Sequence, residues 1–327
     1  MSHRLMLVGL VLLGVILGGT LWACNVPVFR YALERWQSDP YDLVILHQSD
    51  LSEADLKKIE TLRTLSRSNG GKANFDCRVH DMRESVDADL KKAWEVNRND
   101  DNQPLVLLLF PQTAAEVPDR LISVTQMADL QVDHLAGSPL RTELAKRLLS
   151  GDSAVWIFVK SGNEEKDSAA IERLEHQILW NEKNLELPAQ EEIEADEFFN
   201  RDNPIELRLD FSMIILDRSD PKERALLNML LASEPDLEEL DQPMAFPVIG
   251  RGRVLYALVG PGIYRETIAM ASKFVVGPCS CQVKDQNPGF DLLMDTDWES
   301  KINGKPISRS RETKTKAPIL IKIPPGK

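Results

Sequence analysis

The sequence predicts an α/β protein in which one order of elements, βαβαββα, occurs twice behind an N-terminal signal or anchor segment. Short uninterrupted apolar runs of buried-strand length alternate with longer stretches whose apolar residues recur at helical spacing. The same order then returns in the second half of the 327-residue chain. We therefore expect each half to form one mixed sheet flanked by helices.

The N-terminus predicts export to the cell envelope. After a single positive charge, residues 5–22 form an uncharged apolar run of about 18 residues, which is typical of a signal segment. The stretch that ends at Cys24 is similar to a bacterial lipobox, in which this cysteine is lipidated, although Trp22 departs from the smaller residue usual there. An uncleaved anchor helix and cleavage ahead of a free Cys24 are the alternatives. We expect residues 1–24 to deliver the body to the periplasmic side of the membrane and, in the first two cases, to hold it there.

The first unit follows a short helix. Residues 25–40 contain the amphipathic stretch PVFRYALERW and a breaking Ser-Asp-Pro. Residues 41–151 then read as the strand YDLVILH, a helix, the strand NFDCRVH, the helix DADLKKAWEV, and the strands PLVLLLF and RLISVTQM. The closing helix has Ser138 as its N-cap, Pro139 at its first position and Gly151 at its end.

The second unit, residues 152–276, repeats that order. It opens with the strand SAVWIFVK, a helix from about 167 to 187 and, after an acidic connection, the alternating strand IELRLDFSMIIL. Asp220 and Glu223 stand in capping-box positions at the start of the next helix. A hairpin across Gly250 and the closing helix IYRETIAMASKFVV complete the unit.

This order of elements is similar to the thioredoxin fold. Pro104, before the strand LVLLLF, resembles the cis proline that precedes a central strand in that family, and Pro247 holds the corresponding place in the second unit. The family's active site is Cys-x-x-Cys where the first strand meets the first helix, because the helix N-terminus lowers the pKa of the attacking thiol. Here these junctions read HQSDLSEADL and VKSGNEEKDSAA. The resemblance therefore implies two tandem thioredoxin-like units without the catalytic dithiol.

A second resemblance concerns the two ends of the body. CNVPVFRYALERW at one end, and GPCSCQVK followed by NPG and DLL at the other, resemble a family of exported bacterial proteins and lipoproteins. This resemblance supports export and implies no activity.

A loop segment at residues 277–300 carries Cys279 and Cys281. The functional interpretations are a strained redox pair or thiolate ligands for Cu(I) or Zn(II). The structural interpretation, which we favour, is a cross-link to the body, with Cys77 as one partner, or simple packing. Cys77 itself is expected in the core of its strand. If Cys24 is lipidated, three thiols remain, and this odd count keeps the redox alternative open.

The charge distribution and the motifs exclude several classes of function. The net charge is −12, and the basic tail at residues 301–327 carries eight Lys or Arg against one acid, which leaves about −19 on the rest of the chain. A nucleic-acid-binding body is therefore not expected. The scattered histidines lack zinc-site spacing and no nucleotide or hydrolase motif occurs, so we expect no cofactor or metal and favour a non-catalytic protein. Arg251 and Arg253 are candidates for an anion site with backbone amides, and solvated arginines on a glycine hairpin are the alternative.

The sequence therefore predicts a membrane-tethered cell-envelope protein whose non-catalytic thioredoxin-like units bind a protein partner as a scaffold. The alternative is an exported thiol-redox or copper-handling protein that acts through Cys279 and Cys281.

Overall fold

Within residues 26–99, 101–188, 208–278 and 283–302, which the computed structural model describes, the chain forms two mixed β-sheets. Helix α1 (Val28–Arg35) precedes both sheets. The elements of the first half are, in order, β1 (Tyr41–His47), α2 (Glu53–Leu65), β2 (Phe75–Asp81), α3 (Ala88–Asn97), β3 (Leu105–Leu109), β4 (Leu121–Gln126), α4 (Val132–Ala136) and α5 (Pro139–Ser150).

The second half follows the same order, except that it has one more strand and one fewer helix near its end, and it then adds two elements. Its elements are, in order, β5 (Ala154–Val159), α6 (Glu164–Asn184), β6 (Phe211–Leu216), α7 (Arg224–Leu231), β7 (Met244–Ile249), β8 (Arg253–Val254), β9 (Leu258–Val259), α8 (Arg265–Val276), β10 (Phe290–Asp291) and α9 (Trp298–Ile302). Short 3₁₀ turns join several of them.

The two sheets have the same strand arrangement. In the first, with the order β2-β1-β3-β4, β1 is parallel to β2 and antiparallel to β3, which is antiparallel to β4. In the second, β5 is parallel to β6 and antiparallel to β7, and β8 and β9 both pair antiparallel with β7. Strand β10 extends this sheet beyond β8. The predicted α/β class, with a mixed sheet in each half, is confirmed, and Leu43 and Val155 lie in different sheets as expected.

One hydrophobic core joins the two halves. Leu43 and Ile45 of β1 belong to the same buried cluster as Val155 and Ile157 of β5, with residues of α2, α4, α5 and α7 between them. The other face of β5 packs against α1, α6 and α8, and the other face of β1 packs against α3. The layers are therefore α3, the first sheet, a middle layer of helices, the second sheet, and an outer layer of α1, α6 and α8. Burial in the middle layer couples the stability of the two units.

Helix α5 begins and ends where its sequence predicts. The Ser138 hydroxyl accepts a hydrogen bond from the Arg141 amide, Pro139 occupies the first turn, and Gly151 ends the helix at a φ of +112°. Such a left-handed φ strongly favours glycine.

The capping box predicted for the next helix is wrong. Asp220 caps only the 3₁₀ turn Pro221–Glu223, which leads into α7. The buried Glu223 carboxylate instead accepts a hydrogen bond of 2.8 Å from the Leu140 amide at the start of α5. Glu223 therefore satisfies an amide at the N-terminus of a neighbouring helix rather than of its own.

The described part of the predicted 277–300 loop is structured and reaches the core. Residues 290–294, the C-terminal clip, form β10 and then bury Leu292, Leu293 and Met294 in the shared core. The Asn74 amide group donates to the Leu292 carbonyl (3.1 Å) and accepts from the Met294 amide (2.7 Å). The clip thus binds the first unit while its strand belongs to the second sheet.

The cis-proline predictions are wrong. The described residues contain no cis peptide bond, so the bonds that precede Pro104 and Pro247 are trans. Pro247 lies inside β7, opposite Trp156 of β5, and therefore does not stand ahead of its strand.

Candidate functional site

Of the four cysteines, one lies within the described residues and three lie outside them. Cys24, Cys279 and Cys281 fall outside the described residues, so their lipidation, redox and metal interpretations stay predictions. Cys77 lies on β2 and packs, partly buried, against the shared core. Burial raises the pKa of the Cys77 thiol to about 11. At neutral pH this thiol is protonated and lacks the thiolate that redox chemistry needs.

Arg251 holds helix α1 in place. Its side chain is buried, and its Nε donates to the Leu33 carbonyl (2.8 Å) and its Nη2 to the Glu34 carbonyl (3.2 Å). Its Nη1 pairs with the Glu299 carboxylate at 2.5 Å. The hydrogen bond from Arg251 is the main cause that lowers the pKa of Glu299. The guanidinium thus ties the end of α1 to the start of α9.

Arg253 is used in the same way around the clip. It donates from Nε to the Pro288 carbonyl (3.0 Å) and from Nη2 to the Asn287 carbonyl (2.7 Å), and Nη1 pairs with Asp291 (3.3 Å). Every guanidinium nitrogen of Arg251 and Arg253 therefore has an internal partner, which contradicts the anion-site prediction. The alternative of solvated arginines is also wrong, because each residue is only 5% exposed.

The two strand–helix junctions that correspond to the dithiol position are polar turns. Before α2, the Ser52 hydroxyl accepts from the Asp55 amide and the Asp55 carboxylate accepts from the Ser52 amide. Before α6, the Asp167 carboxylate accepts from the amides of Ser161 (2.8 Å) and Gly162 (3.2 Å). These side chains cap helix termini, as such residues commonly do. They supply no nucleophilic thiol at either junction.

A groove on the outer face of the first sheet is the best candidate site. It has a volume of about 920 Å³ and lies between α3 and the loop that joins β3 to β4. Val44, Leu107 and Leu109 contribute apolar floor, and the side chains of α3 and of the loop form its walls. Val96 of α3 lines the groove and is 74% exposed. About half of the lining is polar, so the groove suits a ligand that combines charged and apolar groups.

Two arginines meet one carboxylate in the groove. The Asp42 carboxylate of β1 lies 2.5 Å from Arg78 Nη2 and 2.7 Å from Arg120 Nη2, each through a different oxygen. Arg120 is also held by the Phe110 carbonyl, which accepts from its Nε and its Nη2. The cluster of Asp42, Arg78 and Arg120 therefore carries a formal charge of +1, on a protein whose net charge is −12.

The exposure of these side chains determines what the cluster is able to bind. Asp42 is 15% exposed, whereas Arg78 and Arg120 are 51% and 39% exposed. The shared carboxylate thus lies below two guanidinium groups that still face the groove. Arginine forks bind carboxylates with geometric specificity. Asp87, Asp89 and Asp119 also line the groove, together with Lys92, so the excess of positive charge is confined to the cluster itself. Asp87 accepts from the Asp89 amide and Asp119 from the Leu121 amide.

The sequence analysis missed this cluster because Arg78 and Arg120 are 36 and 78 residues away from Asp42 in the chain. One signal was present, since Asp42 is the single acid in the apolar strand YDLVILH. A charge in such a strand requires a partner or access to solvent. The sequence does not say which basic residue supplies that partner.

Comparisons with protein-family models and with curated proteins give no match for the chain. In the described ranges, no three or more His, Cys, Asp or Glu side chains are grouped so as to hold a metal ion. Among the helices of the described residues, none combines the length and the apolar character that crossing a bilayer requires.

Proposed function

We propose that the chain is a membrane-tethered cell-envelope protein that binds a partner protein through the groove of the first unit. Two non-catalytic thioredoxin-like units form the scaffold. The tether rests on the apolar run at residues 5–22 and on Cys24 after it. The thioredoxin-like assignment is supported by the order βαβαββ and a closing helix, which both halves contain with one added short element each, and by the strand arrangement that the two sheets share.

The groove cluster is the observation that carries the binding function. An apolar floor with two partly exposed guanidinium groups fits an extended segment that presents a carboxylate between apolar side chains. Local charge favours this occupant, because two guanidinium groups meet a single carboxylate in the cluster of Asp42, Arg78 and Arg120. The partner is therefore a protein with an acidic, partly apolar segment.

A displayed library of random peptides, selected against the full chain in lipid nanodiscs, tests the proposal. Enriched peptides should carry Asp or Glu, and their amide analogues with Asn or Gln should bind at least about tenfold more weakly, as expected for the loss of a charged hydrogen bond. The pair Arg78→Gln and Arg120→Gln should weaken the acidic peptides by a similar factor. Arg224→Gln, an exposed arginine in the second unit, is the matched control.

Asp42→Asn gives an opposite and sharper expectation. Removal of the shared carboxylate frees both guanidinium groups, so acidic peptides should bind more tightly rather than less. If the enriched peptides lack acidic residues, or if the variants at Arg78, Arg120 and Asp42 all bind like the wild type, the groove is not the binding site.

A further inference from the structure

The outer layer of helices carries an exposed stripe of aromatic and basic side chains. Trp180 on α6 is 39% exposed, and the Arg265 guanidinium of α8 lies 5.3 Å from its ring centroid. A cavity of about 450 Å³ lies beside them, lined also by Arg173 and His176. The α6–α8 stripe consists of these residues and two exposed lysines: Arg173, His176, Trp180, Lys183, Arg265 and Lys273.

The stripe and two of the acids of α6 lie on different faces of the helix. At about 100° per residue, Arg173, His176 and Lys183 lie within about 60° of Trp180 around the helix axis. Glu175 and Glu182 lie more than about 120° away. The flank of α6 that faces α8 is therefore basic, although the whole chain is acidic. Glu172, which lines the cavity, and Glu266 on α8 reduce this local positive charge without reversing it.

The stripe runs along α8 from Arg265, its first residue, to Lys273, which lies near the point where the body meets its N-terminal segment. The Val28 amide donates to the Gly277 carbonyl at 3.0 Å, so α1 starts at the C-terminal end of α8. The Asn181 amide group donates to the Ser272 hydroxyl (2.9 Å), which places Trp180 next to a residue about 8 Å along α8 from that end.

The chain between the apolar run and the body is short. Three residues lie between Trp22 and Val26, and the four residue steps span at most about 14 Å. A body tethered by the apolar run is therefore held with the C-terminal end of α8 close to the bilayer. The groove of the first unit lies on the side of the molecule opposite to α6 and α8, because both sheets and the middle layer of helices stand between them.

We infer that the α6–α8 stripe rests on the membrane surface, with Trp180 at the headgroup level and the basic side chains against anionic headgroups. The inference rests on the proposed tether. Tryptophan is enriched at the interface between membrane and water because its ring is apolar and its N–H is polar. Basic side chains near an anionic leaflet are attracted to it. This orientation leaves the groove facing away from the lipid, where a partner is able to reach it.

Quenching of tryptophan fluorescence by a lipid with a nitroxide headgroup tests the inference. The full chain is reconstituted into phosphatidylcholine vesicles that contain about 30% phosphatidylglycerol, an anionic fraction chosen to give a negative surface. Trp180→Phe should remove about a third or more of the quenched emission. Trp94→Phe is the matched control, because Trp94 is buried on α3 at the far side of the molecule, and it should leave the quenched emission unchanged.

Variants that remove two lysines measure how much the basic side chains contribute to membrane contact, separately from Trp180. The pair Lys183→Gln and Lys273→Gln should reduce quenching in the anionic vesicles and leave it unchanged in pure phosphatidylcholine. Lys146→Gln on α5, whose side chain is 76% exposed, is the control. Equal thermal unfolding temperatures show that the variants are folded.

Co-sedimentation of the full chain with the vesicles distinguishes the two hypotheses. Sedimentation together with quenching that Trp180→Phe does not alter would overturn the inference and leave the tether intact. Failure to sediment would remove the tether and the inference with it.

Discussion

The two units share one order of elements but differ in how their outer sheet faces are covered. On the first sheet, five buried residues form the outer cluster and α3 is its single helix. On the second sheet, the outer cluster has twenty buried residues and includes α1, α6 and α8. The first unit thus keeps an open groove, whereas the second is closed on both faces. If the proposed groove binds a partner, the first unit is the binding unit and the second unit supports it.

The cover on the second unit comes partly from outside the repeat. Helix α1 contributes Val28, Phe29 and Ala32 to the outer cluster, its C-cap residue Trp36 adds a fourth member, and the helix precedes both units in the sequence. The first unit has no equivalent helix in the described residues. The difference therefore arises from an added segment, not from a change in the order of elements.

The largest expected effect tests whether the two units unfold together. Arg141 is fully buried between them, and burial lowers its pKa to about 10. It donates to the carbonyls of His134, Leu135 and Leu293. Arg141→Leu leaves these carbonyls unsatisfied, so the free energy of unfolding should fall by about 3 to 5 kcal/mol. Urea unfolding followed by circular dichroism should show one shifted transition, and two separate transitions would mean that the units are independent.

A smaller effect compares the outer faces directly. Leu174 of α6 is completely buried under the second sheet, whereas Leu90 of α3 is only partly buried beside the groove. Leu174→Ala should cost about 3 kcal/mol and Leu90→Ala about 1 kcal/mol in the free energy of unfolding, because the cost follows the apolar contact that is lost. Equal costs in denaturant titrations would show that the first face is covered as completely as the second.

The contact of α1 with the second unit gives the next effect. Gly250 has a φ of +59°, and a Cβ there would lie 2.7 Å from the Ala32 Cβ. Gly250→Ala should therefore cost about 2 kcal/mol, through backbone strain and displacement of α1. Gly70→Ala is the matched control, because Gly70 has a φ of +82° and open space around it. Its cost should stay near 1 kcal/mol, the strain of the left-handed backbone alone; similar melting temperatures for the two variants would argue against the close approach.

The smallest effect concerns Cys77 at the edge of the open unit. Because burial raises its pKa to about 11, alkylation at pH 8 should be about 100-fold slower than for a free thiol of ordinary pKa. The raised pKa also means that stability is retained below about pH 8.5 and falls as the pH rises towards 11. Mass spectrometry of the peptide that contains Cys77 follows the reaction. Labelling as fast as in denaturant would show that the first unit opens around Cys77.

Local patterns predict most of the regular elements. The run YDLVILH coincides with β1 (Tyr41–His47), and the cap at Ser138 and the stop at Gly151 coincide with the ends of α5. These signals succeed because strand burial and helix capping depend on neighbours within a few residues. The long helix was placed a few residues late, since α6 starts after the cap at Asn163.

Contacts between distant residues explain what the sequence could not predict. The Glu223 carboxylate accepts a hydrogen bond from the Leu140 amide, 83 residues away in the chain. Arg251 donates to the Leu33 carbonyl, 218 residues away. The apolar residues 292–294 follow a turn signal and are too few to show a period, so they were predicted as loop. Their burial depends on Asn74, whose position no local pattern reveals. The groove cluster could not be predicted for the same reason, because a charged residue in a strand, such as Asp42, does not indicate which distant residue pairs with it.

The C-terminal clip also has a consequence for the time at which the first unit becomes complete. Asn74 binds Met294 across 220 residues of chain, and ribosomes add about 5 to 20 residues per second. The first unit therefore waits about 10 to 45 seconds for the clip residues that complete its contacts. Until then the shared core lacks Leu292, Leu293 and Met294. For a protein that we propose is exported, this delay leaves the first unit incomplete while the rest of the chain is being made.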